Sequence, residues 1–299
     1  MRVTHAIVGA VGAAAIGGTA ATGYALWEAR QHALRRVSVP VLPPGAADLV
    51  VLHLSDLHLT AATVARREWV AGLSALQPDL VIVTGDFLSS AQGVDEVALA
   101  LAGLLDTPGA FVFGSNDYFG AKPINPTKYF AGPSKLHGRR KPQLPTDRLR
   151  SVLTSGGWLD LNNAAGELRV DGLTVALRGV CDPHIRYDRY RVVAGPWPVD
   201  ADVRLGVSHA PYLRVLDAMA DDGADVIFAG HTHGGQVCLP GYGALVTNCD
   251  LDRQRVSGLS RHGESYLHVS AGLGTNPYTP IRVACRPEAT LLTLTAAGA

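Results

Sequence analysis

The stretch Phe228-Ala229-Gly230-His231-Thr232-His233-Gly234-Gly235 decides how the chain reads. It places two imidazoles one residue apart, directly after an apolar run with the composition of a buried strand. Imidazoles at a strand's C-terminal end are where a metal can collect them. Alone, the pair is equally consistent with two surface histidines. Upstream partners change that. Val50-Val51-Leu52-His53-Leu54-Ser55 runs into Asp56-Leu57-His58, and Leu80-Val81-Ile82-Val83-Thr84 into Gly85-Asp86. Ala110-Phe111-Val112-Phe113 runs into Gly114-Ser115-Asn116-Asp117, and Val203-Arg204-Leu205-Gly206-Val207-Ser208 into His209. Five apolar runs therefore end in an oxygen or imidazole donor, and open α/β sheets bind ligands outside the carboxyl ends of their strands. A mixture of carboxylate, imidazole and amide suits Mn, Fe or Zn and not a Cys-based structural site. Each residue has a plainer reading: Asp56 as a helix cap, Asp86 as a turn former, Asn116 in a left-handed turn, His209 before Pro211 as a packed loop residue. One shared centre accounts for all of them together.

The order Asp-x-His, Gly-Asp, Gly-(x)-Asn, His, Gly-His-x-His resembles the calcineurin-like metallophosphoesterase superfamily over roughly residues 48–293. Gly230-His231-Thr232-His233-Gly234-Gly235-Gln236, with the later Gly272-Leu273-Gly274, Pro280-Ile281-Arg282 and Pro287-Glu288, looks like its bacterial membrane-associated branch. The resemblance implies two Mn, Fe or Zn ions that activate water and hydrolyse a phosphodiester, phosphomonoester or pyrophosphate bond. It implies Asp56, His58, Asp86 and His233 on one metal, Asp86, Asn116, His209 and His231 on the other, and Asp86 as the bridging carboxylate. The chain departs from the family at its third motif, which is Gly-Asn-His and whose His serves the leaving group. Here Ser115 reads as an insertion and Asp117 takes the histidine's place, so the expected catalytic residues are Asp86, Asn116 and Asp117. His137, His184 and Lys122 are the other groups able to supply the missing acid. The branch also raises a lipid-linked or nucleotide-sugar phosphate as substrate. A different class of reading is a catalytically altered scaffold, or a metal-binding sensor, acting through the basic loop described below.

Length and composition agree with one catalytic domain. The 299 residues carry 26 basic and 26 acidic side chains, so no nucleic-acid-binding body is indicated. Cys181, Cys238, Cys249 and Cys285 are too widely spaced for a Cys-x-x-Cys pair and read as core residues. His53 reads as a packing residue or an outer partner of the site.

Residues 1–36 are expected to form an N-terminal hydrophobic anchor or signal segment. Ala6 to Trp27 is uncharged and about long enough to cross a bilayer. A signal anchor, a cleaved signal peptide and a helix packed on the domain compete, with the single-pass anchor preferred because Trp27 suits a membrane interface. Arg30, Arg35 and Arg36 outnumber Arg2, which favours a cytoplasmic catalytic domain at the cell membrane; cleavage would place it outside. Residues 37–47, with Pro40, Pro43, Pro44 and Gly45, read as a linker or extended lead-in.

From residue 48 to 299 strands and helices alternate. The expected fold is α/β, a layered sandwich of two mixed β-sheets flanked by helices. Helices are predicted over Thr63 to Leu76, Asp95 to Leu105, Thr146 to Ser155 with Thr146 as N-cap, and Tyr212 to Asp222. Short strands are predicted at Trp158 to Asn163, Glu167 to Val170 and Leu173 to Val180, and Tyr266 to Ser270 and Ala289 to Thr295 are expected to finish the second sheet. Residues 118–144 break the rhythm. This insertion holds every lysine of the chain, Lys122, Lys128, Lys135 and Lys141, together with Arg139 and Arg140. It reads as a solvated loop or as a collector of a phosphorylated or anionic-lipid substrate beside the site. The polar loop Cys181 to Arg189 reads as a surface loop or a wall of the cleft.

Overall fold

In the computed structural model, which describes residues 18–121, 123, 143–239 and 241–298, the chain forms an α/β/β/α sandwich. The first sheet has the order β1-β14-β2-β3-β4-β5, from Ala33–Leu42 (β1), Glu288–Ala296 (β14), Leu49–Leu54 (β2), Leu80–Val83 (β3), Gly109–Phe111 (β4) and Leu159–Asp160 (β5). The second has the order β12-β13-β9-β8-β7-β6, from Gly258–His262 (β12), Ser265–Val269 (β13), Val226–Ala229 (β9), Val203–Ser208 (β8), Leu173–Val180 (β7) and Ala164–Val170 (β6). A small ribbon pairs Cys238–Leu239 (β10) with Gly243–Ala244 (β11).

Side-chain alternation explains the layers. Along β2 and β3, Val51, Leu80 and Ile82 face the second sheet and meet Val175, Leu205, Val207 and Phe228. Leu52, Leu54, Val81 and Val83 face outward and are covered by Val64–Ala71 (α2), Gly93–Leu101 (α3) and Thr146–Ser155 (α5). Val215, Leu216 and Met219 of Leu213–Asp221 (α6) cover Ile227 and Leu267 on the opposite face. Strands buried on both faces read as continuous apolar runs, which is why they were legible.

Three expectations are corrected. Residues 33–42 form β1, an edge strand parallel to β14, so the 37–42 part of the expected 37–47 linker or extended lead-in belongs to the sheet. The edge tolerates Pro40, whose missing N–H costs no ladder bond there, and the register shifts between Pro40 and Leu42. The strand over Ala289 to Thr295 belongs to the first sheet, between β1 and β2, and the second sheet ends instead in β12 and β13. Thr146 is the first residue of α5 and not its cap; its hydroxyl donates to the Asp117 carbonyl at 2.6 Å.

Most of the expected membrane span lies outside the described residues. Among the described residues no helix is long and apolar enough to cross a membrane. What the structure describes of the expected span is residues 18–28, helical (α1) and docked on the domain. Glu28, buried, accepts the N–H groups of Ala284 and Cys285 at 3.0 and 2.9 Å, and Arg282 N–H donates to Ala25 O at 3.1 Å. Lys122, Lys128, Lys135, Arg139, Arg140, Lys141 and His137 of the insertion lie outside the described residues.

Buried histidines join the two sheets. His53 on β2 faces His268 on β13, Nδ1 to Nδ1 at 2.8 Å, and its Nε2 meets Thr84 Oγ1 at 3.0 Å. Two facing Nδ1 atoms require one to carry a proton and the other a lone pair, so a second positive charge finds no room. Burial pushes His268 down to about 4, and burial together with His268 pushes His53 well below its ordinary value. The unfolded chain, with histidines near 6.5, takes up protons first as the pH falls. The contribution of this pair to the stability of the metal-stripped protein is therefore expected to be fully present above about pH 6.5 and to fall towards pH 4. Thermal unfolding followed by circular dichroism checks this; a melting temperature flat between pH 7 and pH 4.5 contradicts it.

Candidate metal centre

Both sheets deliver their parallel strands to one edge. From β2, β3 and β4 come Asp56 and His58, Asp86 and Asn116; from β8 and β9 come His209 and His231 with His233. At each exit the chain must turn at once to bring a side chain over the edge. Asp56, His58, Asp86, His231 and His233 do so with φ of 51°, 46°, 55°, 68° and 49°, in the left-handed region that non-glycine residues enter at a cost. Cross-links hold them: Asp56 N–H to Gly85 O at 2.9 Å, His58 N–H to Asp86 O at 2.9 Å, and Gly274 N–H to Asp56 O at 2.6 Å. Gly114 and Gly230 permit the closeness, since a Cβ on the first would collide with Asp86 Oδ1 and His209, and one on the second with Ser55 and Asp56.

The donors form two adjoining clusters. Asp56, His58 and His233 make one, and Asp56, Asp86 and His209 the other, their donor atoms within 4.8 Å of one another. His233 Nε2 lies 3.6 Å from Asp56 Oδ1, while Asp86 Oδ2 lies 3.6 Å from both His58 Nε2 and His209 Nε2. His231 Nδ1 faces His209 Nε2 at 3.2 Å. Outer partners set the ring orientations. His209 Nδ1 meets Thr84 O at 2.6 Å, His233 Nδ1 meets Gly274 O at 3.1 Å, and His58 Nδ1 meets Ser89 Oγ at 3.1 Å. Each leaves Nε2 turned to the centre, the arrangement in which a second-shell acceptor fixes the tautomer of a metal-binding imidazole. Asp56 Oδ1 and His58 Nε2 are buried with no hydrogen-bond partner. Unpaired acceptor atoms of this kind, converging from an Asp/His donor set, fit a divalent metal.

Electrostatics point the same way. Burial, then Arg282, pushes His233 down to about 3, and burial lowers His58 and His231 strongly, so these imidazoles are neutral donors. Burial would also lower His209, but Asp86, Asp182 and Asp56 outweigh it and push that ring up to about 9. Asp86 rises to about 6 through burial, offset in part by His209.

Asn116 reaches the centre: its backbone N–H and side-chain Nδ2 donate to the two Asp86 oxygens at 2.8 and 2.7 Å. Asp117 does not. It is fully buried, and its carboxylate accepts backbone N–H groups of Asp86 at 2.9 Å, Gly114 at 2.9 Å and Leu88 at 3.1 Å. It ties the β3 exit to the first turn of Ser115–Tyr118 (α4). Two residues of the loop after β7 carry more weight than a surface-loop reading gave them. Asp182 is fully buried, and the His184 ring lies 4.5 Å from that of His231 with Nδ1 3.0 Å from Tyr212 Oη. The signal was present: β7 is a further apolar run ending in a carboxylate.

Comparison with known proteins identifies the family. The family model described as calcineurin-like phosphoesterase matches residues 49–235. The chain belongs to that family. It is 30% identical to the uncharacterised metallophosphoesterase YkoQ of Bacillus subtilis strain 168, over 83% of this chain and 84% of that one. It is 26% identical to phosphodiesterase YaeI of Escherichia coli K12, over 83% of each chain. It is also 26% identical to UDP-2,3-diacylglucosamine pyrophosphatase LpxG of Chlamydia trachomatis, over 82% of this chain and 83% of that one. As a calcineurin-like phosphoesterase the chain is a metal-dependent phosphoric ester hydrolase.

Asp117 satisfies three buried amides, and burial with the neighbouring Asp86 pushes its carboxyl well above the usual range. Replacing it by Ala orphans all three, and each buried unsatisfied group costs about 1–3 kcal/mol. Asp117→Ala is expected to lose about 3 kcal/mol or more in urea unfolding of the metal-stripped protein. Unchanged stability with a selective loss on substrates with poor leaving groups would support the acid role.

Proposed function

We propose that the chain is a two-metal phosphoesterase acting on a lipid-linked phosphodiester or pyrophosphate. The observation that carries the reading is the position of Asp86 Oδ2, 3.6 Å from an imidazole of each cluster, which is where a bridging carboxylate belongs. Asp56, His58, Asp86 and His233 would hold the first ion, and Asp86, Asn116, His209 and His231 the second. Two such ions supply Lewis acidity that neutralises phosphoryl oxygens and lowers the pKa of a water.

The chain's own contribution is pre-organisation. Thr84, Gly274 and Ser89 hold three ring orientations before substrate arrives, and Asn116 holds Asp86. Of the groups able to replace the family's histidine, His184 is the one described residue that lies against the centre, beside His231.

Two supports favour a lipid-linked substrate. Relatives named as a phosphodiesterase and as a UDP-2,3-diacylglucosamine pyrophosphatase span nearly the same length. Tyr24, Trp27, Leu239, Tyr242 and Tyr278 are exposed on segments laced together by the Val237–Val283 bridge and the bond from Arg282 N–H to Ala25 O. Exposed aromatic and apolar side chains on such segments suit a membrane interface, and the sequence that precedes residue 18 is apolar.

The test is hydrolysis of bis-p-nitrophenyl phosphate and p-nitrophenyl phosphate by the full chain, metal-stripped and then supplied with Mn, Zn or Fe. Turnover is expected to require metal and to fall at least about a hundredfold in Asp86→Asn. Flotation of the full chain with anionic vesicles is expected, and its loss in Tyr24→Ser with Trp27→Ser checks the membrane part. Folded, metal-loaded protein that turns over neither ester contradicts the enzyme reading and favours a scaffold.

A further inference from the structure

Resting on that reading, we propose that Asp182 supplies a further carboxylate to the second metal site, beyond Asp86, Asn116, His209 and His231. Topology places it there. β7 lies beside β8 in parallel, with Val180 opposite Ser208, so Asp182 leaves the sheet next to His209, as His209 leaves it next to His231. The three exits form a row at one edge.

The side chain is fully buried, and its two oxygens differ. Oδ1 accepts the His184 backbone N–H at 2.7 Å and the Ser115 backbone N–H also stabilises the carboxylate, while Oδ2 is buried with no hydrogen bond of its own. A buried carboxylate oxygen without a donor is costly unless a cation supplies the missing interaction. The charged groups that face Asp182 are His209 and His184, and it acts in turn on Asp86.

Charge counting gives it a purpose. In the proposed ligand set Asp86 is shared, so the second ion would otherwise meet two imidazoles, one amide and part of one carboxylate, with Asp56 alongside. Asp182 brings an undivided negative charge to that ion. Oxygen donors also shift a site towards Mn and Fe.

Metal binding by the full chain tests this without reference to turnover. Stripped protein is titrated with Mn(II), free and bound ion being separated by electron paramagnetic resonance, with elemental analysis after dialysis. Wild type is expected to hold two equivalents. Asp182→Asn is expected to keep the first and bind the second at least about tenfold more weakly, while His58→Ala weakens the first. The metal-free Asp182→Asn protein should melt no lower than wild type, because the amide removes a buried charge. A folded Asp182→Asn that binds two equivalents with wild-type affinity overturns the proposal. Wild type holding fewer than two equivalents overturns the two-metal reading instead. Should the amide variant not fold, Asp182→Glu must change the visible spectrum of the Co(II)-loaded protein, and an unchanged spectrum also overturns the proposal.

Discussion

Four carboxylates, Asp56, Asp86, Asp117 and Asp182, are buried at one edge of an apolar sandwich, and the rest of the structure answers to that constraint. Burying an ion is tolerable only with partners. Asp117 finds them in three backbone amides and stays inside the fold. Asp56 and Asp182 keep an oxygen without a partner, and Asp86 sits between imidazoles. The protein thus separates a carboxylate that the fold satisfies from carboxylates that keep an oxygen open. The left-handed turns at five donor residues are the conformational cost of that convergence.

Holding the convergence takes elements far away in sequence. The buried Arg282 guanidinium donates to the carbonyls of Ala271, Gly272 and Gly274 at 2.8, 3.0 and 2.7 Å, and Gly274 O in turn orients His233. Cys285 Sγ donates to His233 O and Cys238 Sγ to Gly234 O, both at 3.2 Å. Glu28 of α1 fixes the 284–285 backbone, so the N-terminal helix reaches the His-x-His loop through two steps. Substrate capture at a membrane and the geometry of the centre would share this path.

The candidate site was largely legible because its residues end apolar strands, and a buried parallel strand is a strong local signal. β1 was not legible as a strand, because proline content signals a linker whether or not a sheet edge is available to accept it. The placement of β14 was missed for a related reason: nothing local says which of two sheets an apolar run joins. The orientation of Asp117 was not legible, because proximity in sequence to Asn116 implies nothing about direction. On a helical first turn, adjacent side chains diverge, and Asn116 faces Asp86 while Asp117 turns back to the backbone.

The sequence by itself determined the layered α/β architecture, the family and the principal donor residues, since periodicity and donor type are properties of short segments. Only the tertiary structure decided which carboxylates are satisfied and which are left open. That depends on where amides from β3, α4 and the loop after β7 arrive in space. Hydrogen-bond satisfaction is a sum over neighbours that are distant in the chain, so Asp117 and Asp182, alike as letters, have different fates in the fold.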